Sequence, residues 1–337
     1  MRSIHRAVVT GGAGFIGSHM VDLLLAQGVD VRVIDNLSGG NESNLAHQSG
    51  NAHLRVDIRD IRALSADDPL FEDVDTVFHF AGIGDIVPSI EKPIDYIDVN
   101  LQGTVRVLEC SRYSRVERVV YAASSSCYGL ANVPTPETHR ISPQYPYALS
   151  KHLGEQACLH WHHVYGLAVN SIRIFNAYGL RSRTTGAYGA VFGVFLRQKL
   201  AGAPFTVVGD GEQSRDFVYV TDVAEAFRAA ATTDLVGQAW NVGASRPQTV
   251  NRLVELLGGE SVHIPDRPGE PRCTWADTSA IARDLGWKPV VNFEDGVAKM
   301  VANIEMWRDA PLWDTASIAE ATEGWFRYLS PGDAVPS

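Results

Sequence analysis

Short apolar runs rich in β-branched residues alternate with longer amphipathic stretches along the first half of the chain. Such short runs are typical of buried strands, and here they are RAVVT (6–10), DVRVID (30–35), AHLRVD (52–57), DTVFHFAG (75–82), RVVYAASS (118–125) and AVNSIRIF (168–175). Between them the sequence predicts helices over 17–28, 96–113 and 147–166. Strands that alternate with helices predict right-handed βαβ units, and therefore a doubly wound α/β fold with a parallel sheet.

The pattern changes after about residue 176, where glycine, proline and charged loops become frequent. We predict that residues 1–176 form the main domain and that 216–243 return to it. Residues 177–215 and 244–330 are predicted to form a smaller α/β lobe that covers the sheet, because ligand-binding segments are often loops on a rigid scaffold.

Three glycines follow the first predicted strand and open the first helix. Gly12, Gly14 and Gly17 have the spacing GxGxxG in VVTGGAGFIGSHMV. Glycine allows a tight turn and a close approach of the backbone to a pyrophosphate, which then lies at the helix N-terminus. Asp35 ends the next strand, about 20 residues further along, where a ribose-binding carboxylate is expected. The main domain is therefore predicted to be a dinucleotide-binding domain of the Rossmann type.

Asp35 also predicts which dinucleotide binds. A carboxylate accepts hydrogen bonds from both ribose hydroxyls and repels a 2′-phosphate. The following residues, Asn36 and Leu37, supply no cation for that phosphate. The predicted cofactor is NAD rather than NADP. Asp57 and Ile58, after the third strand, are predicted to flank the adenine, with a solvated loop as the alternative.

A tyrosine and a lysine lie four residues apart in YPYALSKHLGEQ. At this spacing Tyr147 and Lys151 share one face of the predicted helix. A nearby ammonium favours the phenolate, which makes a phenolic base workable near neutral pH. Together with the glycine loop and the serine-rich strand end, the pair predicts proton transfer beside a dinucleotide.

Composition limits the partners. The net charge of −10 argues against nucleic acid, and no apolar run reaches the length of a membrane span. The N-terminus enters the first strand without the apolar region of a signal peptide. The four cysteines have no CxxC spacing, which is typical of reduced thiols in a cytoplasmic protein. The histidines of HWHHV (160–164) have no carboxylate or cysteine at matching spacing, so we predict no metal site.

The ordered motifs together resemble a known family. TGGAGFIG, VIDN, VDIRD, FHFAG, AASSSCYG, YALSK and RIFNAYG, followed by VVGDGEQSRDFVYVTDVAEA and RPGEPRCTWADTSAIARDLGWKP, are similar to the extended short-chain dehydrogenase/reductases. Within them the chain resembles the NAD-dependent nucleotide-sugar epimerases and dehydratases, over most of its length. The resemblance implies an enzyme whose substrate is a nucleotide-diphosphate sugar.

The resemblance also implies roles for single residues. Tyr147 would take the proton of a sugar hydroxyl while C4 passes hydride to NAD, and Ser124 would hydrogen-bond that hydroxyl. Lys151 would hold the nicotinamide ribose and lower the pKa of Tyr147. Asn100 would steady the catalytic helix, with a capping amide as the alternative. Further residues implied along the cofactor are Gly11, Gly14, Phe15, Ile16, Gly17, Phe80, Ala81, Gly82 and Ala122.

The implied substrate contacts lie in the second half of the chain. Asn176, Val191 and Arg215 would contact the sugar nucleotide, and Arg267 or Arg272 would add a second cation for the diphosphate. An arginine fork matches the geometry of phosphate oxygens.

The stretch SSSC (124–127) bears on the choice between two reactions. Dehydratases of the family keep Asp and Glu directly after their Ser or Thr, whereas this chain has Ser125 and Ser126. A serine without a partner is a poor base, so the stretch favours 4-epimerisation over 4,6-dehydration. Cys127 is either an acid or base with a shifted pKa or a small buried apolar residue.

The sequence therefore predicts a 4-epimerase acting on a UDP-hexose or a UDP-N-acetylhexosamine. The alternative is a 4,6-dehydratase of the GDP- or UDP-N-acetylglucosamine type in bacterial surface-sugar synthesis, which segment 181–195 and the C-terminal tail resemble. A non-enzymatic NAD-binding regulator is disfavoured because Tyr147 and Lys151 are both present. The family further implies a homodimer joined through helices 96–113 and 147–166.

Overall fold

The structure is a computed structural model that describes residues 2–182 and 191–329. Its strands are β1 (Arg6–Thr10), β2 (Asp30–Asp35), β3 (Leu54–Ile58), β4 (Thr76–His79), β5 (Arg118–Ser124), β6 (Val169–Ile174), β7 (Asn176–Tyr178), β8 (Phe205–Val208), β9 (Ser214–Arg215), β10 (Phe217–Tyr219), β11 (Ala239–Val242), β12 (Gln248–Thr249) and β13 (Ser261–Ile264). The predictions that fall on residues 183–190 and 330, within the lobe and the dehydratase-like segment, lie outside the described residues.

The helices alternate with these strands. They are α1 (Phe15–Ala26), α2 (Ile86–Glu91), α3 (Pro93–Ile97), α4 (Thr104–Tyr113), α5 (Pro146–Tyr165), α6 (Val191–Ala201), α7 (Val220–Thr232), α8 (Val250–Leu257), α9 (Ser279–Leu285), α10 (Phe293–Ala302), α11 (Thr315–Ala321) and α12 (Glu323–Leu329). A π-helical segment, Asp98–Gly103, joins α3 to α4. No helix in the described ranges is long and apolar enough to cross a membrane.

Seven parallel strands form the central sheet in the order β11-β6-β5-β4-β1-β2-β3. The chain runs outward from β1 to β3 in one direction and from β4 to β11 in the other. The strand order therefore reverses between β1 and β4, and ligands of doubly wound sheets bind at the carboxyl edge of such a switch point. The predicted α/β fold is confirmed.

Apolar side chains cover both faces of the sheet. On one face Met20, Val21 and Leu24 of α1 pack with Phe227 of α7 and Val9 of β1. On the other face, α4 and α5 pack against β4, β5 and β6. This second face places the helix that carries Tyr147 and Lys151 directly on β5, whose end is Ser124.

A second apolar core lies in the later part of the chain. It joins α6, α8 and α10 with β8 and β10, and it includes Phe192, Phe205 and Trp307. Meanwhile α7 packs on α1, and β11 is the edge strand of the central sheet beside β6. The structure thus places segment 216–243 largely with the main sheet, although the division into a cofactor domain and a substrate lobe remains a prediction.

Candidate active site

A cavity of about 520 Å³ runs along the carboxyl edge of the sheet and crosses the switch point between β1 and β4. At one end it is lined by the glycine turn and the end of β2, and at the other end by β7 and the start of α6. The predicted residues that line it are Gly11, Gly14, Phe15, Ile16, Gly17, Asp35, Asn36, Phe80, Ala81, Gly82, Ala122, Ser124, Tyr147, Lys151 and Asn176.

The glycine turn has the geometry that a pyrophosphate requires. Gly11 has a φ of +69°, and a Cβ there would lie 2.7 Å from the backbone nitrogen of Ala81. Gly14 is the N-cap of α1, and the first three residues of this helix, Phe15 to Gly17, line the cavity. By contrast, a Cβ on Gly12 would meet the side chain of Val33. Gly11 thus requires glycine for its positive φ and for its close approach to Ala81, while Gly12 allows close packing on β2.

Asp35 presents its carboxylate at the end of β2. Its Oδ2 accepts a hydrogen bond from the Ala13 amide at 3.0 Å, and its Oδ1 accepts one from the Leu37 amide at 2.8 Å. Burial raises the pKa of Asp35, and these backbone amides oppose that rise. The side chain is fixed in place with lone pairs remaining, which suits the two hydroxyls of an adenosine ribose.

The cavity wall after β3 is formed by residues other than the two predicted to flank the adenine. The structure places Arg59, Asp60 and Ile61 on the cavity wall rather than Asp57 and Ile58. Asp57 accepts a hydrogen bond from Arg59 Nε at 3.2 Å, and Ile58 is 50% exposed on the outer strand. Asp57 and Ile58 still belong to β3, and the chain reaches the cavity only in the loop that follows this strand. The cavity wall is therefore formed two residues further along than the predicted pair, and the residues that flank the adenine stay a prediction.

NAD is expected to bind at least about tenfold more tightly than NADP, a difference of about 1.4 kcal/mol. The reason is that the Asp35 carboxylate repels a 2′-phosphate, whereas the nearby Arg59 guanidinium is already bound to Asp68 at 2.6 Å. Calorimetric titration with both dinucleotides measures the difference. Asp35→Asn should reduce the difference between the affinities for NAD and NADP. Equal affinities of the wild-type protein for the two dinucleotides would contradict the assignment of Asp35.

Tyr147, Lys151 and Ser124 meet where the cavity passes the end of β5. Tyr147 is hydrogen-bonded to Ser124. Burial raises the pKa of Tyr147, and the Ser124 hydrogen bond is the contact that lowers it. Burial lowers the pKa of Lys151 to about 8, and its ammonium lies 4.6 Å from the centre of the Tyr121 ring. Ser124 is thus the group in contact with the phenol, and the predicted lowering of the Tyr147 pKa by Lys151 stays a prediction.

Asn100 holds together the two walls of this region. The π-helical segment carries its amide inward, where Oδ1 accepts from the Ile83 amide at 2.9 Å. Its Nδ2 donates to the Ile83 carbonyl at 3.0 Å and to Ser150 Oγ at 2.9 Å. Since Ser150 precedes Lys151 on α5, Asn100 connects the loop after β4 to the helix that carries the Tyr-Lys pair.

The SSSC stretch divides into different environments. Ser124 Oγ donates to Ser126 Oγ at 3.0 Å, and Ser126 is hydrogen-bonded in turn to Tyr145. Ser125 does not line the cavity. Cys127 is buried in an apolar cluster, and burial raises the pKa of its thiol to about 12. Of the two alternatives for Cys127, the structure supports the small buried apolar residue.

The predicted arginines separate into two groups. Arg215 Nη2 donates to Glu270 at 2.6 Å, and Arg267 lies 3.7 Å from the other oxygen of the same carboxylate. Arg272 instead pairs with Asp210 at 2.7 Å, with its side chain 60% exposed. Arg215 and Arg267 thus share the Glu270 carboxylate, whereas Arg272 pairs with Asp210 at the surface.

One of the two other predicted substrate contacts lines the cavity and the other does not. Asn176 lines it and accepts a hydrogen bond from Thr274 Oγ1 at 2.7 Å. Val191 is the first described residue of α6 and packs against the second core, while the next three residues, Phe192 to Val194, line the cavity.

Sequence patterns missed several residues of the site. Asp85 lines the cavity, and its charge raises the pKa of Tyr147. Trp313 lines the far end, and Glu270 and Tyr145 stand beside the residues described above. Among these missed residues, only Glu270 could have been found from the sequence, because it lies three residues after Arg267 in RPGEPR. In the described ranges, no three His, Cys, Asp or Glu side chains cluster in a way that could hold a metal ion.

The fold, the glycine turn with Asp35 and the Tyr-Lys-Ser group together define an NAD-dependent short-chain dehydrogenase/reductase. The family model described as "NAD dependent epimerase/dehydratase family" matches residues 7–243. The chain belongs to this family. The predicted family and the predicted cofactor, NAD, are confirmed.

Similar proteins act on nucleotide sugars. The chain is 35% identical to the UDP-glucose 4-epimerase of Mycolicibacterium smegmatis, over 88% of this chain and 97% of the relative. It superposes on the UDP-glucuronic acid 4-epimerase of Bacillus cereus, solved with UDP-glucuronic acid and NAD, with a TM-score of 0.83, 28% identity, and 89% and 99% of the two chains covered. The dTDP-glucose 4,6-dehydratase of Streptomyces venezuelae, solved with NAD, gives a TM-score of 0.81 at 30% identity, covering 90% and 97%. The prediction of an NAD-dependent nucleotide-sugar epimerase, with a dehydratase as the alternative, agrees with these relatives.

Proposed function

We propose that this protein interconverts the C4 epimers of a UDP-hexose or a UDP-N-acetylhexosamine. The observation that carries the proposal is the pairing of Tyr147 with Ser124 beside Lys151, where the dehydratase acid and base positions after Ser124 hold only serines. One acid-base group suffices for epimerisation at C4, because the proton taken from O4 is later returned to O4.

The residues have the following proposed roles. NAD, when bound, accepts hydride from C4 of the sugar and returns it to the opposite face. Tyr147 takes the O4 proton and gives it back, and Ser124 orients the O4 hydroxyl. Lys151 donates to the nicotinamide ribose. Asn100 fixes α5 through Ser150, so that Tyr147 and Lys151 keep their positions.

The sugar nucleotide is proposed to extend from Tyr147 toward the arginines. Asn176 lines the cavity, and its backbone amide donates to the carbonyl of Asp216, the residue after Arg215. Arg215 and Arg267, which share Glu270, supply the positive charge for the diphosphate, and planar guanidinium groups suit its oxygens. Arg272 is left out of this role, because Asp210 binds it at the surface.

One observation favours 4,6-dehydration as a second candidate. Elimination needs a base for the C5 proton in addition to Tyr147. The serines of SSSC cannot supply it, and neither can Cys127 with its raised pKa. Asp85, however, brings a carboxylate into the same cavity from the loop after β4.

Reaction in deuterated water separates the two functions. The NAD-loaded protein is incubated with a panel of UDP-, GDP-, CDP- and dTDP-sugars, and the products are read by NMR. We expect a UDP-sugar epimer without deuterium on any carbon, because hydride is held on the cofactor and no C5 proton leaves. Deuterium at C5 or C6 with loss of water would overturn epimerisation. Asp85→Asn would then abolish elimination if Asp85 is the base.

We also propose that the protein is a homodimer joined through the helices predicted at 96–113 and 147–166. These helices pack side by side on one face of the sheet. Large apolar side chains on them are exposed to solvent, namely Tyr113, Leu149, Val164 and Tyr165. Burial of this surface against a second copy would remove it from water. Light scattering on the full chain measures the oligomeric state, and Val164→Asp should shift it toward the monomer.

A further inference from the structure

The C-terminal helix α12 lies beside the loop that carries Arg267 and beside α2. Its third residue, Trp325, is only 4% exposed. The indole Nε1 donates a hydrogen bond of 2.7 Å to the carbonyl of Pro268. This hydrogen bond ties α12 to the loop through the residue that follows Arg267.

The indole ring contacts two groups that the proposed function places near the substrate. The guanidinium of Arg267 lies 5.9 Å from the centre of the ring, within the range of a cation–π interaction. The ring of Tyr145 lies 6.1 Å away at an interplanar angle of 43°. Trp325 therefore touches one residue of the arginine group and one residue next to the acid-base group.

Tyr145 connects this tryptophan to the catalytic residues. Its ring is parallel to that of Tyr147, at an interplanar angle of 6° and a centroid distance of 6.4 Å. Its hydroxyl is hydrogen-bonded to Ser126, which accepts from Ser124. Burial raises the pKa of Tyr145 to about 12, so the hydroxyl stays protonated at neutral pH. Four hydroxyls, those of Tyr147, Ser124, Ser126 and Tyr145, thus form one hydrogen-bonded series.

We infer that α12 is part of the sugar-nucleotide site, with Trp325 as a positioning residue that holds Tyr145 beside Tyr147 and Arg267 beside Glu270. This inference rests on the proposed function. A sugar nucleotide is the ligand class that fits, because its reacting hydroxyl and its diphosphate are separated by one sugar ring. Trp325 fixes one residue at each end of that ligand, and it therefore controls how tightly the sugar nucleotide binds. Tyr147 and Ser124 remain the residues that act directly on the sugar hydroxyl at C4.

Steady-state kinetics of the NAD-loaded full chain test the role of Trp325. Trp325→Ala is expected to raise KM for the UDP-sugar at least about tenfold, as for loss of a central aromatic anchor. It should leave kcat within about threefold and the Kd for NAD unchanged, because the partners of the indole are Tyr145, Arg267 and Pro268. Tyr328→Ala is the matched control, since Tyr328 is on the same helix and 63% exposed. It should leave KM unchanged.

Trp325→Phe is a second variant that still tests the inference if Trp325→Ala does not fold. It keeps an aromatic ring against Tyr145 and Arg267 but removes the donor to Pro268, so KM should rise by less than in Trp325→Ala. Thermal unfolding is measured for every variant. The inference is overturned if Trp325→Ala folds with an unchanged KM. It is equally overturned if kcat and NAD affinity fall in proportion to lost stability, because that pattern indicates a merely structural role.

Binding of UDP alone, followed by calorimetry, separates this inference from the proposed function. If the wild-type protein turns over no UDP-sugar, the proposed function fails. Weaker UDP binding by Trp325→Ala than by Tyr328→Ala would still support the role of Trp325 at the diphosphate site. Equal UDP affinity in both variants, or no binding of UDP by the wild-type protein, would overturn it.

Discussion

Replacing Tyr147 by phenylalanine is expected to lower kcat at least about 10²-fold, the low end of the contribution of a general acid-base group. The variant keeps the ring that packs beside Tyr96 and Tyr145 and loses only the hydroxyl that contacts Ser124. Turnover of the best UDP-sugar from the panel measures the effect. NAD affinity should be unchanged, which calorimetry checks, and near-normal turnover would remove Tyr147 from its proposed role.

The pH profile gives a second test of the same assignment. Tyr147 acts as a base in its ionised form, and burial raises its pKa. The kcat/KM of the wild-type protein should therefore rise with pH as the phenol loses its proton. This rise should disappear from the profile of Tyr147→Phe. A phenylalanine variant that retained the same rising limb would show that another group titrates there.

Removal of the Glu155 carboxylate is expected to lower the free energy of unfolding by about 3–5 kcal/mol, as for other buried ion pairs that lose one partner. Glu155 lies on α5, one turn after Lys151, and is buried. Arg173 of β6 binds it through Nη2 at 2.6 Å and through Nε at 3.0 Å, and Ser171 Oγ donates to it at 2.9 Å. In Glu155→Ala the Arg173 charge stays in the interior without its counter-ion, which is the source of the cost.

Chemical denaturation of Glu155→Ala measures this loss. Glu255→Ala is the control, because Glu255 pairs with Arg252 in an exposed i,i+3 arrangement on α8. Exposed pairs of this kind contribute at most about 1 kcal/mol. Equal destabilisation of the two variants would mean that the buried pair does not hold α5 on the sheet. Should Glu155→Ala fail to accumulate, Glu155→Gln keeps the hydrogen bonds to Ser171 and allows the measurement.

The fold and the cofactor site could be predicted because their determinants are local in sequence. A strand, a glycine turn, a helix and a second strand that ends at Asp35 follow one another within the first 35 residues. Right-handed crossovers then fix how successive units pack. The predicted strands 6–10 and 30–35 match β1 and β2, and the strand predicted over 75–82 ends at His79, because the next residues turn to line the cavity.

The sequence by itself determined the NAD fold, the Asp35 carboxylate and the Tyr147–Lys151 pair, since one helical turn brings the last two to the same face. Only the tertiary structure decided which groups surround them. It joined Arg215 to Glu270 across 55 residues, and it brought Trp325 to Tyr145 and Asp85 into the cavity. It also buried Cys127 and raised its pKa. The physical reason is that no local spacing encodes contacts between distant segments, which arise when separate apolar surfaces pack into one core.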